Sequence, residues 1–217
     1  MNNRNSEKPE KAVIIKNLCK AYGQTILFEH VDLEIDRGDF VVFSGPSGCG
    51  KTTLLNMIGA LEQLDQGFIE VNGCDISKKK NRIRYFSEVV GFLFQNFALI
   101  EEKTVRQNLE IIKSKNRSGI SISKALRSVG LEDKMDNKVY TLSGGEQQRI
   151  ALARLMIKKC DVILADEPTG SLDKNNAKAV MAILKALNQM GKTVILVSHD
   201  EEIKKQGSRL VELGKIG

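Results

Sequence analysis

Short apolar runs, separated by polar and turn-forming residues, recur along this chain, and their lengths sort strands from helices. Phe40–Ser44, 89–94, 162–165 and Thr193–Val197 are near-continuous runs of Val, Ile, Leu and Phe, as in strands buried on both faces of a parallel sheet. Residues 13–18 and 26–35 read as strands of an antiparallel edge region. Residues 68–71 and 75–76 flank Asn72-Gly73, which suits the two positive-φ positions of a tight hairpin turn. Helical spacing predicts helices over 51–59, 175–190 and 201–205, and 210–213 closes the chain. Between 104 and 159 strand signals vanish. Val105, Leu109 and Ile112, then Ala125, Leu126 and Val129, then Ile150, Ala153 and Ile157 recur at helical intervals. The pattern is α/β: a parallel sheet with an antiparallel β edge, interrupted by a helical subdomain at about 104–159. The first eleven residues are polar, with no apolar run, so a disordered start over 1–11 is expected before a single domain over 12–217.

Composition narrows this picture. The chain has 217 residues, 41% of them hydrophobic, 28% charged and 5% aromatic, with no Trp, so one domain with an aliphatic core is expected. No apolar run approaches the ~18–20 residues of a membrane span, and from the polar start no secretory leader is expected. Cys19, Cys49, Cys74 and Cys160 form no CxxC pair, and reduced thiols are expected. The net charge is +6, but charges of both signs are mixed along the chain. The densest cluster, Lys78, Lys79, Lys80, Arg82 and Arg84, reads as a solvated loop and helix start, so no nucleic-acid partner is expected.

Three stretches carry chemistry. Gly45-Pro46-Ser47-Gly48-Cys49-Gly50-Lys51-Thr52 matches G-x-x-x-x-G-K-[ST] in full, between a buried strand and a helix, and Thr53 belongs to the same nucleotide-binding set. The glycines let successive N–H groups face phosphate oxygens, and the helix N-terminus adds about half a positive charge. Lys51 is placed to reach the β- and γ-phosphates, and the Thr52 hydroxyl to ligate Mg²⁺. Residues 162–165 then run into Asp166 and Glu167, delivering two carboxylates to the ligand edge of a parallel sheet. Alone, the pair reads equally as a strand-end turn before Pro168. With the upstream loop, Asp166 becomes a candidate Mg²⁺ holder and Glu167 a candidate base for an attacking water. Third, Leu142-Ser143-Gly144-Gly145-Glu146-Gln147-Gln148-Arg149 opens a helix: Ser143 can cap it, and Glu146 completes a capping box. Capping does not explain Gly144-Gly145, since each glycine costs about 1 kcal/mol inside a helix. Bare backbone there gives the chain a second phosphate-seeking surface.

The phosphate loop, this LSGGEQQR stretch, Asp166-Glu167, Gly170-Ser171-Leu172-Asp173 and His199 occur in the order and rough spacing of ATP-binding cassette (ABC) ATPases. The chain resembles that family from about residue 13 to 213. The resemblance implies a P-loop NTPase fold with a mixed-sheet core, ATP and Mg²⁺ as ligands, and a head-to-tail homodimer. In it Ser143, Gly144, Gly145 and Glu146 close on the γ-phosphate held by the other subunit. It also implies roles for Tyr22 as an adenine-stacking aromatic, Gln95 at the metal and the attacking water, His199 as a γ-phosphate switch, and Ser171 and Asp173 as the loop coupling two sites. His30 lacks such a context and receives no role. Cys49 stands where relatives often carry Ser, a candidate point of oxidative inhibition.

The stretch Leu93-Phe94-Gln95-Asn96-Phe97-Ala98-Leu99-Ile100-Glu101, with Thr104-Val105 and residues 167–173, resembles the MacB/LolD-type branch, and most of all its bacteriocin-export members. That implies an ATPase subunit at the cytoplasmic face of the membrane. It would power a permease in a separate chain, with residues 97–103 near the contact, and export or extract a peptide, lipoprotein or drug. The rival readings are an ATPase that signals mechanically without moving solute and a soluble ABC ATPase.

Overall fold

The computed structural model describes residues 10–170 and 172–214. The chain runs β1 (Lys11–Tyr22), β2 (Thr25–Asp36), β3 (Phe40–Ser44), α1 (Lys51–Ile58), β4 (Gln66–Val71), β5 (Cys74–Asp75), α2 (Arg82–Arg84) and β6 (Val90–Leu93). It continues with α3 (Val105–Glu110), α4 (Ile122–Ser128), α5 (Gly144–Ile157), β7 (Val162–Asp166), α6 (Lys174–Gln189), β8 (Thr193–Val197), α7 (Glu201–Lys204) and β9 (Arg209–Glu212). Of the start expected to be disordered, residues 1–9 lie outside the described residues, as does Ser171. Lys11 corrects that boundary: it already pairs with Asp36 in β2, and its ammonium stands 2.6 Å from the Asp36 carboxylate. A polar residue on a strand edge reads as loop until its partner strand is known.

Two sheets form. The antiparallel one has the order β2-β1-β4-β5, and its β4–β5 turn places Asn72 and Gly73 at φ 48° and 71°, as their chemistry demands. The other, β6-β7-β8-β3-β9, is parallel at every pair. The long apolar runs have a simple cause. In β3, Val41 and Phe43 enter one core with α1 and the antiparallel sheet, while Phe40 and Val42 enter another with α5 and α6. Leu164 and Ile163, and Ile195 and Leu196, divide the same way. A third cluster, built on Leu109, Leu126, Ile150 and Ala153, joins α3, α4 and α5. Two isolated bridges, Thr104 with Lys138 and Arg117 with Lys158, cross this helical stretch.

The start of β6 differs from expectation. Tyr85–Val89 is a π-helical turn, and both its end residues are buried, with the Tyr85 hydroxyl donating to the Ile58 carbonyl. Tertiary anchoring of Tyr85 thus converts the first residue of the expected strand into a helix end. Because all five strands of the second sheet run one way, their carboxyl ends share an edge. Ser44, Leu93, Asp166 and Val197 hand over there to the segments singled out in the sequence.

Candidate functional site

The phosphate loop starts where Ser44 ends β3. A side chain at Gly45 would place its Cβ 2.4 Å from the Leu213 carbonyl oxygen, and one at Gly50 would meet the Phe28 ring at 2.6 Å. Both glycines also hold positive φ, 146° and 92°, and the loop is closed by the residue after β9 on one side and by β2 on the other. Lys51 Nζ donates to the carbonyls of Gly45 at 2.9 Å and Pro46 at 2.7 Å, and lies 3.8 Å from Cys49 Sγ. The ammonium therefore sits within the curl of its own loop.

Thr52 Oγ1 donates to Asp166 Oδ1 at 3.0 Å, tying α1 to the end of β7 although β8 separates β3 from β7 in the sheet. Burial pushes the Asp166 carboxyl up from its usual value, against the lowering effect of the Thr52 bond and with a further rise from Glu167. Glu167 follows in the left-handed region at φ 43°, a conformation costing about 1–3 kcal/mol and found at working sites. Its N–H donates to the Val197 carbonyl at 3.2 Å, and its Oε1 lies 3.0 Å from His199 Nδ1. Gln95 is exposed and lines, with Asp166, Asn56 and Phe94, a hollow of about 440 Å³. Lys51, Thr52, Gln95, Asp166, Glu167 and His199 are thus gathered at one sheet edge. Tyr22 lies in the antiparallel sheet, half exposed, with Lys20 Nζ 4.8 Å from its ring centre. The ring that packs on the loop is Phe28, a residue the sequence analysis missed because its partner is a glycine distant in the chain.

The LSGGEQQR stretch forms the expected capping box. Ser143 Oγ accepts from the Glu146 N–H at 3.3 Å, and the Ser143 N–H donates to Glu146 Oε2 at 2.8 Å. That N–H holds the Glu146 carboxyl below its usual value. Gly144 faces open space, with no atom within 4 Å of a built Cβ. Gly145 faces Asn176, whose side chain would lie 3.0 Å from such a Cβ. Asp173 caps α6 by accepting from the N–H groups of Asn175 and Asn176, at 2.9 and 3.0 Å. Arg149 donates to Asn176, and Gln148 to the Pro168 carbonyl. These bonds reach α6 and the segment after β7, not the chain's own phosphate loop. Asn176 gave no signal in the sequence, and Gln148 none beyond its place in the LSGGEQQR stretch, because their partners are set by how α5 packs against α6 and the segment after β7.

The ABC transporter family profile matches residues 28–170. The chain is 39% identical to an ABC transporter ATP-binding protein of Methanocaldococcus jannaschii, MJ1508, over 91% of this chain and 93% of that protein. The chain belongs to the ABC transporter ATP-binding family. As an ABC ATPase it is an ATP hydrolase. It is 36% identical to the macrolide export ATP-binding/permease protein MacB of Campylobacter jejuni, across 93% of this chain but 32% of that one. The chain therefore spans about a third of that relative's length. It is also 36% identical to the lipoprotein-releasing system ATP-binding protein LolD of Porphyromonas gingivalis, across 91% of this chain and 94% of that protein. These relatives support placing this ABC ATPase in the MacB/LolD-type branch. A dimeric bacterial ABC transporter cassette, MJ0796, superimposes with a TM-score of 0.82 at 35% identity, covering 93% of this chain and 94% of that one. A second MJ0796 dimer, in a post-hydrolysis state with ADP and phosphate, does so with a TM-score of 0.80. Among the described residues no helix is long and apolar enough to cross a membrane.

Proposed function

We propose that this ABC ATPase is the energy-supplying subunit of a membrane transporter. It closes as a head-to-tail homodimer on ATP at the cytoplasmic face of the membrane and works a permease carried on a separate chain. The observation that carries this reading is the division of anion-binding features into two surfaces. Lys51, Thr52, Asp166, Glu167 and His199 gather at one sheet edge, while the bare Gly144 backbone opens elsewhere, bonded to none of them. A second copy, turned head to tail, supplies what each edge lacks. In that arrangement Gly45–Thr53 cradles the phosphates of ATP, Lys51 leaves its loop carbonyls for the β- and γ-phosphates, and Tyr22 stacks on adenine. Ser143, Gly144, Gly145 and Glu146 of one chain face the γ-phosphate held by the other, with Asp173 near the contact.

The oxygen set fits Mg²⁺, a hard cation that takes hydroxyl and carboxylate ligands. Thr52 Oγ1 and Asp166 Oδ1 are 3.0 Å apart, and Gln95 lines the hollow beside Asp166. These three residues would hold the ion, which when bound neutralises charge on the transferring phosphoryl group. Glu167 accepts the proton of the attacking water, and His199, 3.0 Å from its carboxylate, orients it and senses the γ-phosphate. The cargo class proposed is a peptide, lipoprotein or drug. The resemblance of residues 93–101 to bacteriocin-export members favours a peptide, and residues 97–103 are the proposed permease contact.

Glu167→Gln tests the hydrolytic site and the dimer together. With saturating ATP and Mg²⁺ it is expected to elute as a dimer on size exclusion with light scattering, with turnover reduced at least about 100-fold. A monomer hydrolysing ATP at the wild-type rate overturns the reading.

A further inference from the structure

Arg154 lies near the site, yet nothing above uses it. It stands on α5 among Ala151, Leu152 and Leu155, which pack against the parallel sheet. Burial lowers its pKa from the usual guanidinium value, and no carboxylate among the described residues offsets that penalty. Instead the guanidinium donates to backbone: Nη1 to the Ala98 carbonyl at 2.6 Å and Nη2 to the Phe97 carbonyl at 2.8 Å. Phe97 and Ala98 are the one adjacent pair of non-glycine residues with left-handed φ among the described residues, at 59° and 47°. A turn of that kind persists only where its surroundings over-determine it. Here a planar two-pronged donor meets two neighbouring acceptors, a match that a lysine ammonium cannot reproduce.

The turn lies two residues beyond Gln95. Before Gln95 the chain is held by the pairing of Leu93 with Ala165 in β7. After it, the chain is held by Arg154 and by Phe97 packing against the sheet core. Gln95 itself is exposed and free to face the hollow beside Asp166. We propose that Arg154 is a positioning residue for Gln95, fixing through the Phe97 and Ala98 carbonyls the backbone that presents Gln95 at the hydrolytic edge. This rests on the reading of Gln95, Asp166 and Glu167 as that edge. The same helix opens at Ser143 and reaches Arg154 roughly 16 Å along its axis, so one rigid element carries both the LSGGEQQR turn and the clamp on the Gln95 loop.

The test compares Arg154→Gln, Arg154→Lys, Gln95→Ala and the Arg154→Gln/Gln95→Ala double variant in full-length protein. ATP affinity is read by equilibrium dialysis and turnover by phosphate release. Arg154→Gln is expected to lower kcat about tenfold with ATP affinity within about twofold of wild type, and Arg154→Lys to fall between. The double variant is expected to be no slower than Gln95→Ala alone, because both changes act on one group. Unchanged kcat in Arg154→Gln, or a double variant slowed by the product of the single effects, overturns the proposal. Should Arg154→Gln fail to fold, Ala98→Pro decides by the same criteria, since proline cannot adopt the left-handed turn and Ala98 is exposed. Glu167→Gln tests the underlying site separately. Loss of hydrolysis there, with full activity in Arg154→Gln, rejects only the positioning role.

Discussion

Asp166 shows what burial costs a single carboxylate at the proposed hydrolytic edge. Its carboxylate is partly withdrawn from water and raised in pKa by that burial, with Glu167 adjacent and one hydroxyl bond from Thr52 as compensation. An amide of the same shape keeps an acceptor for Thr52 and sheds the desolvation cost of charge. Asp166→Asn is therefore expected to raise the melting temperature of the nucleotide-free protein by a few degrees while abolishing hydrolysis. Calorimetry and phosphate release check the two halves, and an unchanged or lower melting temperature would show that the carboxylate carries no net strain. Glu167 stores a different strain, in its backbone at φ 43°. There the nearby His199 nitrogen and the Val197 carbonyl hold a conformation that a glutamate avoids elsewhere.

At the scale of elements, α5 is the connecting part. Ser143 and Glu146 cap its start, Gln148 and Arg149 reach the segment after β7 and α6, Arg154 holds the Gln95 loop, and its apolar residues divide between two cores. Ser143→Ala removes the cap and is expected to cost about 1 kcal/mol at neutral pH. The pH dependence has a definite sign. The folded-state pKa of Glu146 lies below its ordinary 4.5, so its contribution is complete above that value and is lost as pH falls through the folded pKa. The melting-temperature gap between wild type and Ser143→Ala should therefore narrow as the pH falls below the ordinary glutamate range. Ser143→Ala keeps the backbone N–H bond to Glu146 and loses only the hydroxyl bond to that carboxylate at 2.9 Å, so a gap that stays constant would show that the hydroxyl bond adds nothing.

At the scale of the molecule, three apolar clusters set what moves together. The first two share the parallel sheet and clamp the site edge between them, while the third belongs to the helices between 104 and 159. Leu126 is fully buried in the third cluster. Leu126→Ala is expected to destabilise by about 2–5 kcal/mol. Its hydrogen exchange should speed up first in α3 and α4, with β3, β7 and β8 still protected. Uniform acceleration through the sheet would show one cooperative core instead.

Much of this molecule was legible from order alone. The apolar runs of β3, β7 and β8, the Asn72-Gly73 turn, the phosphate loop and the Ser143–Glu146 box were all readable, because each depends on residues within about ten positions of one another. The parallel direction of the strands, implied by their runs, sufficed to bring Lys51, Asp166, Glu167 and His199 to one edge. What tertiary structure alone decided are pairings across long separations. Phe28 packs on Gly50, Tyr85 draws the start of β6 into a π-turn, Lys11 joins β1 through Asp36, and Arg154 meets the carbonyls of Phe97 and Ala98. Such contacts have no periodicity and no local signature. They exist only where packed elements bring distant backbone within hydrogen-bond reach, as where the half-buried Arg154 guanidinium meets two carbonyls of the left-handed turn at Phe97-Ala98.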